Sequence, residues 1–407
     1  MKRVRHVALI YDARQLYDVK VMAGVAAYMR KVDNWSVYIE ENSLADQSLP
    51  DLRTWHGDGI IADFDDPRVA AHVTASKIPS VGFGGGFGWY DPASRIPYFY
   101  PDNRAISRLA AGHLLDRGFH HFAFCGYPAS ILNGWSQERS REFAGRVGES
   151  GFECRTYTGR HRSTRDWEGF RASLAQWLAS LPKPVGLMAA DDKRARQVLE
   201  VCRLTGIRVP DEVAVIGVDN DEMLCQLSHP SLSSVESGAW RLGHEAAALL
   251  DRLMSGRGPR KQKFFADPEG VVTRRSTDVL AVDDAEVARA VAMIRDNAAV
   301  GITAQEVCDA VKLSRSTLEL RFKQAMGRTL FAEIRGVQLK RVESLVRESN
   351  LTLKQIAAQC GFASVQHMTT LFAARYGSPP AGYRRQVSVR SASRSWPSAS
   401  AGRGGPS

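Results

Sequence analysis

Apolar residues recur along this chain in two rhythms, and the rhythm changes about two-thirds of the way through. From Arg3 to about Leu253, short runs rich in β-branched residues alternate with segments whose apolar positions fall every three or four residues. The runs His6–Tyr11, Gly59–Ala62, Ser80–Phe83, His121–Gly126, Val185–Ala190 and Val213–Val218 predict strands. They are continuously apolar rather than alternating, which predicts parallel sheets covered on both faces. Between them, residues 17–32 place Val21, Gly24, Val25, Tyr28 and Met29 on one stripe, and helices are also predicted at 104–117, 136–150, 167–180, 192–205 and 240–255. About 250 residues of this alternation fit two similar α/β lobes with a cleft beyond the strand ends.

The segment Ser255-Gly-Arg-Gly-Pro259-Arg-Lys261 reads as a turn, residues 264–282 are expected to add a last strand or two, and Val282-Asp-Asp-Ala285 marks a boundary. From 286 to 386 the pattern is helical throughout, and within it two helix-turn-helix patterns lie about fifty residues apart. In the first, Thr303 and Glu306 form a capping-box signature, Val307, Ala310 and Val311 give an inner stripe, and Ser314 caps a second helix anchored by Leu318, Phe322 and Met326. Arg315, Ser316 and Glu319 are left facing outward. In the second, Leu353, Ile356, Ala357 and Cys360 form the inner stripe and Gly361 the turn. Met368, Leu371 and Phe372 anchor the next helix, leaving Gln366, His367, Thr369 and Thr370 exposed. A connecting helix over roughly 328–348 would span about 30 Å, close to the ~34 Å between successive major grooves on one face of a duplex. Such a pair suits double-stranded DNA. Residues 387–407, rich in Ser, Arg, Gly and Pro, are expected to be disordered.

Charge sharpens this division. Basic and acidic side chains balance over residues 1–285, so the net charge of +10 is carried by residues 286–407. A neutral body with a cationic helical end is the distribution a phosphate-contacting module gives. The six cysteines are scattered, with no Cys-x-x-Cys pair, and read as small buried residues of a reducing cytoplasm. No stretch reaches eighteen uninterrupted apolar residues, so no membrane span or membrane partner is expected. The basic start Met1-Lys-Arg-Val-Arg-His6 is followed only by a strand-length apolar run without a cleavage site, which argues against an export signal and against a secreted binding protein. Gly84-Gly-Gly-Phe-Gly88 is followed by no Lys-Ser/Thr, no His/Glu/Cys cluster has metal spacing, and no nucleophile–base pair can be named. An enzyme, a cofactor and a metal are therefore not expected.

Several motifs carry a resemblance. Leu313-Ser-Arg-Ser-Thr-Leu318, Ile356-Ala-Ala-Gln-Cys-Gly-Phe362 and Phe372-x-x-x-Tyr376-Gly-x-Pro379-x-x-x-Tyr383-Arg384 resemble the C-terminal DNA-binding module of the AraC/XylS family over about 100 residues. The resemblance implies base contacts from Arg315, Ser316 and Glu319 in the first unit and Gln366, His367 and Thr370 in the second. Leu320 departs from the pattern, where a long polar residue is common, and a thymine methyl is the contact open to it.

The first 280 residues resemble the LacI/GalR and periplasmic sugar-binding fold at Gly112-His-Leu-Leu-Asp-Arg-Gly118, Val209-Pro-Asp-Glu-Val-Ala-Val-Ile-Gly217-Val-Asp219-Asn and His229-Pro-Ser-Leu-Ser-Ser-Val235. The first strand starts almost at Met1, with no helix-turn-helix before it, so the reader is expected at the other end. This order, with Asp58-Gly-Ile-Ile-Ala-Asp63-Phe-Asp-Asp66 and Arg274-Arg-Ser-Thr-Asp278, resembles the xylose-responsive regulator family along essentially the whole chain.

Sugar hydroxyls donate to carboxylates and accept from Arg or Asn, while the ring face suits an aromatic. Asp219 ends a buried strand, Asp191 follows Val185–Ala190, and Asp102 and Asn103 follow a strand at the expected lobe crossover. Asp12, Tyr17 and Asp18 occupy the first loop, with Trp135 or Trp89 as stacking plates; Arg139 matches the arginine that clamps hydroxyls in that fold. Helix N-capping competes as a role for Asp12, Asp18, Asp191 and Asp192, and core packing for Trp89. The expectation is thus a two-lobed periplasmic-binding-protein-like sensor over residues 1–282 followed by an all-α double helix-turn-helix domain over 286–386. It implies a cytoplasmic, dimeric activator that binds D-xylose and DNA and engages RNA polymerase; another monosaccharide, or repression, would use the same architecture.

Overall fold

In the computed structural model, residues 3–40, 52, 55–85, 96–130, 134–159, 167–258, 262–279, 284–297 and 301–384 are described. The chain divides into two compact units, Met1–Ala281 and Val282–Ser407. Residues 387–407, Trp89 and most of the glycine-rich 84–88 run lie outside the described residues.

The N-terminal unit holds two six-stranded sheets. The first is built from β1 (Arg5–Ile10), β2 (Trp35–Glu40), β3 (Gly59–Asp63), β4 (Ser80–Phe83) and β5 (Tyr98–Pro101), in the order β5-β4-β3-β1-β2, with every pairing parallel. The second is built from β6 (His121–Cys125), β7 (Cys154–Tyr157), β8 (Val185–Ala189), β9 (Val213–Val218) and β10 (Ser233–Glu236), in the order β10-β9-β8-β6-β7 and also parallel. The chain then returns to add β11 (Lys263–Ala266) beside β5 and finally β12 (Gly270–Val272), antiparallel, beside β10.

Continuous apolar runs make sense here because alternate residues of each strand feed opposite cores. In β1, Val7 and Leu9 pack with Val21, Val25 and Leu242 under α1 (Leu16–Val32) and α8 (Ala239–Leu253), while Ala8 and Ile10 pack with Val69 and Val73 of α2 (Pro67–Ser76). In the second lobe, Phe122 and Phe124 join Ile106 of α3 (Asn103–Leu115) and Phe143 of α4 (Gly134–Gly148). Ala123 and Cys125 face Leu174 of α5 (Trp167–Ser180) and Val198 of α6 (Asp192–Thr205).

The six predicted strands stand within a residue of their expected bounds, as do the helices within about two. Missing from the reading were β2 and β7, edge strands with exposed positions (Tyr38 is 45% exposed), and β10, whose serines conceal its burial: Ser233 and Ser234 are fully buried and hydrogen-bonded. Also missing were α2 and the short α7 (Glu222–Leu227).

The C-terminal unit comprises α9 (Ala285–Asn297), α10 (Ala304–Val311), α11 (Arg315–Met326), α12 (Leu330–Glu348), α13 (Leu353–Gln359) and α14 (Val365–Tyr376). Thr303 and Glu306 form the expected capping box, Ser314 caps α11, and a second capping box, Thr352 with Gln355, opens α13. Gly361 takes the left-handed turn at φ 67°. One stripe position is corrected: Ala310 is exposed and Cys308 is buried in its place, since the inner face of α10 follows Val307, Cys308 and Val311. No helix among the described residues is long and apolar enough to cross a membrane.

Candidate functional site

A cavity of about 590 Å³ opens between the two lobes of the N-terminal unit at the carboxyl ends of their strands. The loop after β1 supplies Asp12, the first turn of α1 supplies Tyr17 and Asp18, the end of β3 supplies Asp63, and the loop after it supplies Asp65. Opposite them, the β6–α4 segment supplies Tyr127, Trp135 and Arg139, β8 leads to Asp191, and β9 leads to Asp219. Nine aspartates line the cavity against three basic side chains, Arg14, Arg139 and Lys193. Acceptors in such excess repel anions and suit a neutral ligand with many hydroxyl donors.

Several of these groups are held ready. Arg139 is buried, its Nε donating to Asn103 Oδ1 at 2.8 Å and its Nη1 to the Ala190 carbonyl at 2.6 Å, with the guanidinium carbon 4.9 Å from the Trp135 ring centre. Tyr127 meets Trp135 edge-on at 5.8 Å and donates its hydroxyl to Asp191 at 2.9 Å. Asp191 also accepts from the Arg194 N–H at 2.7 Å, so it is at once the cap of α6 and part of the cavity wall. Asp219 stands at φ 93°, a strained value for a non-glycine residue, and its Oδ1 is buried with no hydrogen-bond partner among the described residues. A buried, unsatisfied carboxylate oxygen on a cavity wall is a vacancy for a donor.

Burial pushes the Asp18 and Asp63 carboxyls well above the usual carboxylate range, each reinforced by neighbouring acids, and the two carboxyls are hydrogen-bonded to each other. Asp18 also accepts from the Asp12 N–H at 3.0 Å, and Tyr17 donates to the Gly84 carbonyl at 3.1 Å. Asp12 is engaged by Arg14, whose hydrogen bonds hold its carboxyl below the ordinary value despite partial burial. Lys193 of the second lobe bonds the Arg14 carbonyl at 2.8 Å and Gln15 Oε1 at 2.9 Å of the first, bridging the mouth.

Of the residues expected from sequence, Asp12, Tyr17, Asp18, Trp135, Arg139, Asp191 and Asp219 line this one cavity. Asp102 and Asn103 do not. Asp102 caps α3 by accepting from the Ala105 N–H, and Asn103 lies buried behind Arg139, bonded also to the Gly85 carbonyl and Glu138. Asp63, Asp65, Tyr127 and Lys193 were missed. The signal for Asp63 was available: like Asp219, it is a carboxylate ending a buried strand. For Lys193 there was none, because its partners lie in the other lobe.

In the C-terminal unit, Arg315, Ser316 and Glu319 project from α11 as an exposed row, with Arg315 Nε 3.0 Å from Glu319 Oε1. Leu320 joins that row, 60% exposed. Gln366, His367 and Thr370 are exposed on α14, while Thr369 is half-buried. Between the two pairs, the 19 residues of α12 extend about 28 Å. Its core with α13 and α14 runs through Leu339, Val342, Val346, Ile356, Met368 and Phe372.

Comparison with known proteins places each part. Residues 6–104 match a family model described as XylR N-terminal domain, residues 111–277 a periplasmic binding protein-like domain, and residues 307–386 a helix-turn-helix domain. The xylose operon regulatory protein of Escherichia coli K12 is 36% identical over 93% of this chain and 97% of its own length. Its Haemophilus influenzae counterpart is 32% identical over 93% of this chain and 97% of its own. The solved structure of the xylose-binding transcription activator xylR matches with a TM-score of 0.62 and 35% identity, covering 95% of this chain and 99% of that one.

Proposed function

Because this chain belongs to the family of xylose operon regulatory proteins, we propose that it takes D-xylose into the interlobe cavity and in response activates promoters read by its C-terminal helices. The single observation that carries this reading is the union on one chain of two features. One is a cavity rich in acceptors, with a buried carboxylate oxygen awaiting a donor; the other is a pair of helix-turn-helix units joined by a helix nearly one groove repeat long. The family is one of DNA-binding regulators rather than enzymes, so no reaction is ascribed to the carboxylates; they recognise hydroxyls.

In this reading the sensor spans 1–282 and the reader 286–386. Asp18, Asp63 and Asp219 take hydroxyl protons, Arg139 donates, and Trp135 offers an apolar face. Donors on one sugar satisfying acceptors on both lobes favour the closed cleft, and coupling requires that sugar bind the DNA-competent state more tightly. Arg315, Ser316, Glu319, Gln366, His367 and Thr370 face base edges. Paired chains and contact with RNA polymerase complete the proposal.

Calorimetric titration with a panel of monosaccharides, alongside DNA binding with and without each sugar, tests it. D-xylose should bind tightest and raise DNA affinity. Asp219→Asn keeps the shape and tolerates the left-handed backbone, but should weaken D-xylose binding about tenfold or more by removing a charged acceptor. If no monosaccharide binds, or the chain ignores duplexes of every sequence at low salt, the reading fails.

A further inference from the structure

Asp219 and Asn220 stand consecutively in the left-handed region, at φ 93° and 48°. A residue other than glycine stays at such values only where its surroundings hold it, and here the two lobes of the N-terminal unit share the holding. The second lobe takes the N–H groups. That of Asp219 donates to the Val235 carbonyl at 2.9 Å, that of Asn220 to Ser234 Oγ at 2.9 Å, and that of Asp221 to Asp192 Oδ2 at 2.7 Å. Asp192 is buried and also accepts from Ser234 Oγ at 2.6 Å, so one carboxylate braces both the turn and the residue after it.

The first lobe takes the carbonyls. Lys20, on α1 two positions past Asp18, donates through Nζ to the carbonyl oxygens of Asp219 and Asn220, the latter at 3.1 Å, and to the Glu236 carboxylate at 2.9 Å. An ammonium has three protons, and these three acceptors use them. The Lys20 side chain is only 21% exposed and does not line the cavity, so it has no donor to offer a ligand. Neighbouring carbonyls run nearly parallel in a helical turn of either hand and alternate in extended chain, so one cation reaches both only in the turn. Lys20 thus selects the left-handed form over the extended one. That turn carries Asp219 Oδ1, the cavity-wall oxygen that is buried without a partner among the described residues.

The geometry points to Lys20 as a positioning residue: from the first lobe it fixes the turn that aims the second lobe's Asp219 at the sugar. The inference rests on the sugar-sensing reading above. It makes the acceptor on one lobe conditional on the other, and it requires that Lys20 contribute to affinity through Asp219 alone.

The test is a double-mutant cycle on the full chain, read as D-xylose affinity by calorimetry and as melting temperature without sugar. Lys20→Met keeps the aliphatic stem and removes the ammonium; it should weaken D-xylose binding about tenfold or more, the scale of a hydrogen bond to a charged group. In an Asp219→Asn background the same change should cost less than about twofold, because the acceptor it positions is already gone. Monodeoxy analogues of xylose give a second readout. The analogue whose penalty Asp219→Asn removes identifies the hydroxyl that meets Asp219, and Lys20→Met should remove that same penalty and leave the others. A brace that merely held the lobes together would lower the melting temperature, cost the same in both backgrounds and leave the analogue pattern unaltered. Equal losses in both backgrounds, an unaltered analogue pattern, or native affinity in Lys20→Met overturn the proposal. If Lys20→Met does not fold, Lys20→Met/Glu236→Gln, which removes both charges, takes its place in the cycle. A native chain that binds no D-xylose overturns the sugar-sensing reading instead.

Discussion

At the scale of single residues, the Asp18–Asp63 pair shows how environment decides what an acid does. Both are buried, Asp63 receives the Asp65 N–H at 2.8 Å, and burial raises both carboxyls above their ordinary values. A carboxyl whose folded pKa is raised prefers to fold protonated. Its contribution is complete below the ordinary value of about 4 and is lost as pH climbs through the folded value. Asp63→Asn keeps a donor toward Asp18 and cannot ionise, so it should melt higher than the native chain, with a gap that opens as pH rises above the ordinary carboxylate value of about 4. Parallel melting curves above that value would show that the pair ionises without penalty. Sequence reading reached Asp18 and Asp219 because each ends or follows a recognisable strand. It could not tell Asp102, a helix cap, from Asp191, a cap that also faces the cavity; the two look alike locally, and only the direction of the loop separates them.

Among the elements, α1 and α8 approach each other very closely. A Cβ on Gly24 would lie 1.9 Å from the Trp240 carbonyl oxygen, and one on Gly243 would lie 1.8 Å from that of Val21. The two helices therefore touch backbone to backbone, and neither neighbour is a side chain that can swing away. Gly243→Ala should destabilise the chain by about 1–3 kcal/mol or more in denaturant unfolding; an unchanged midpoint would mean that the helices separate freely. Both helices were legible from their apolar stripes, and Gly24 was on one of them. That α8 packs beside α1, after the chain has passed through the second lobe and back, was not legible, because an amphipathic stripe states that a partner exists without naming it. The missed edge strands have the same origin: one exposed face weakens the apolar run that marks a buried strand.

For the whole molecule, function depends on spacing. The reader's second helices are separated by α12, whose length of about 28 Å is fixed by 19 helical residues packed against α13 and α14. Inserting five base pairs between the two contacted segments of a selected duplex turns the second segment to the far side. Affinity should then fall about tenfold or more, and ten inserted base pairs should not restore it, since a rigid α12 cannot stretch by ~34 Å. Recovery at ten would mean that the two units bind independently.

Periodicity, caps and charge distribution were sufficient to separate an α/β body from a cationic helical end and to bring out the two reading helices, because those signals are local and repeat every two to four residues. The acidic cavity was only partly foreseeable. Lys193 bridging to Gln15, Lys20 holding the Asp219 turn and Asn103 steadying Arg139 join residues dozens to about two hundred positions apart. Which side chains meet there depends on how the strands are ordered in each sheet and where the chain crosses between lobes, and no local pattern encodes either.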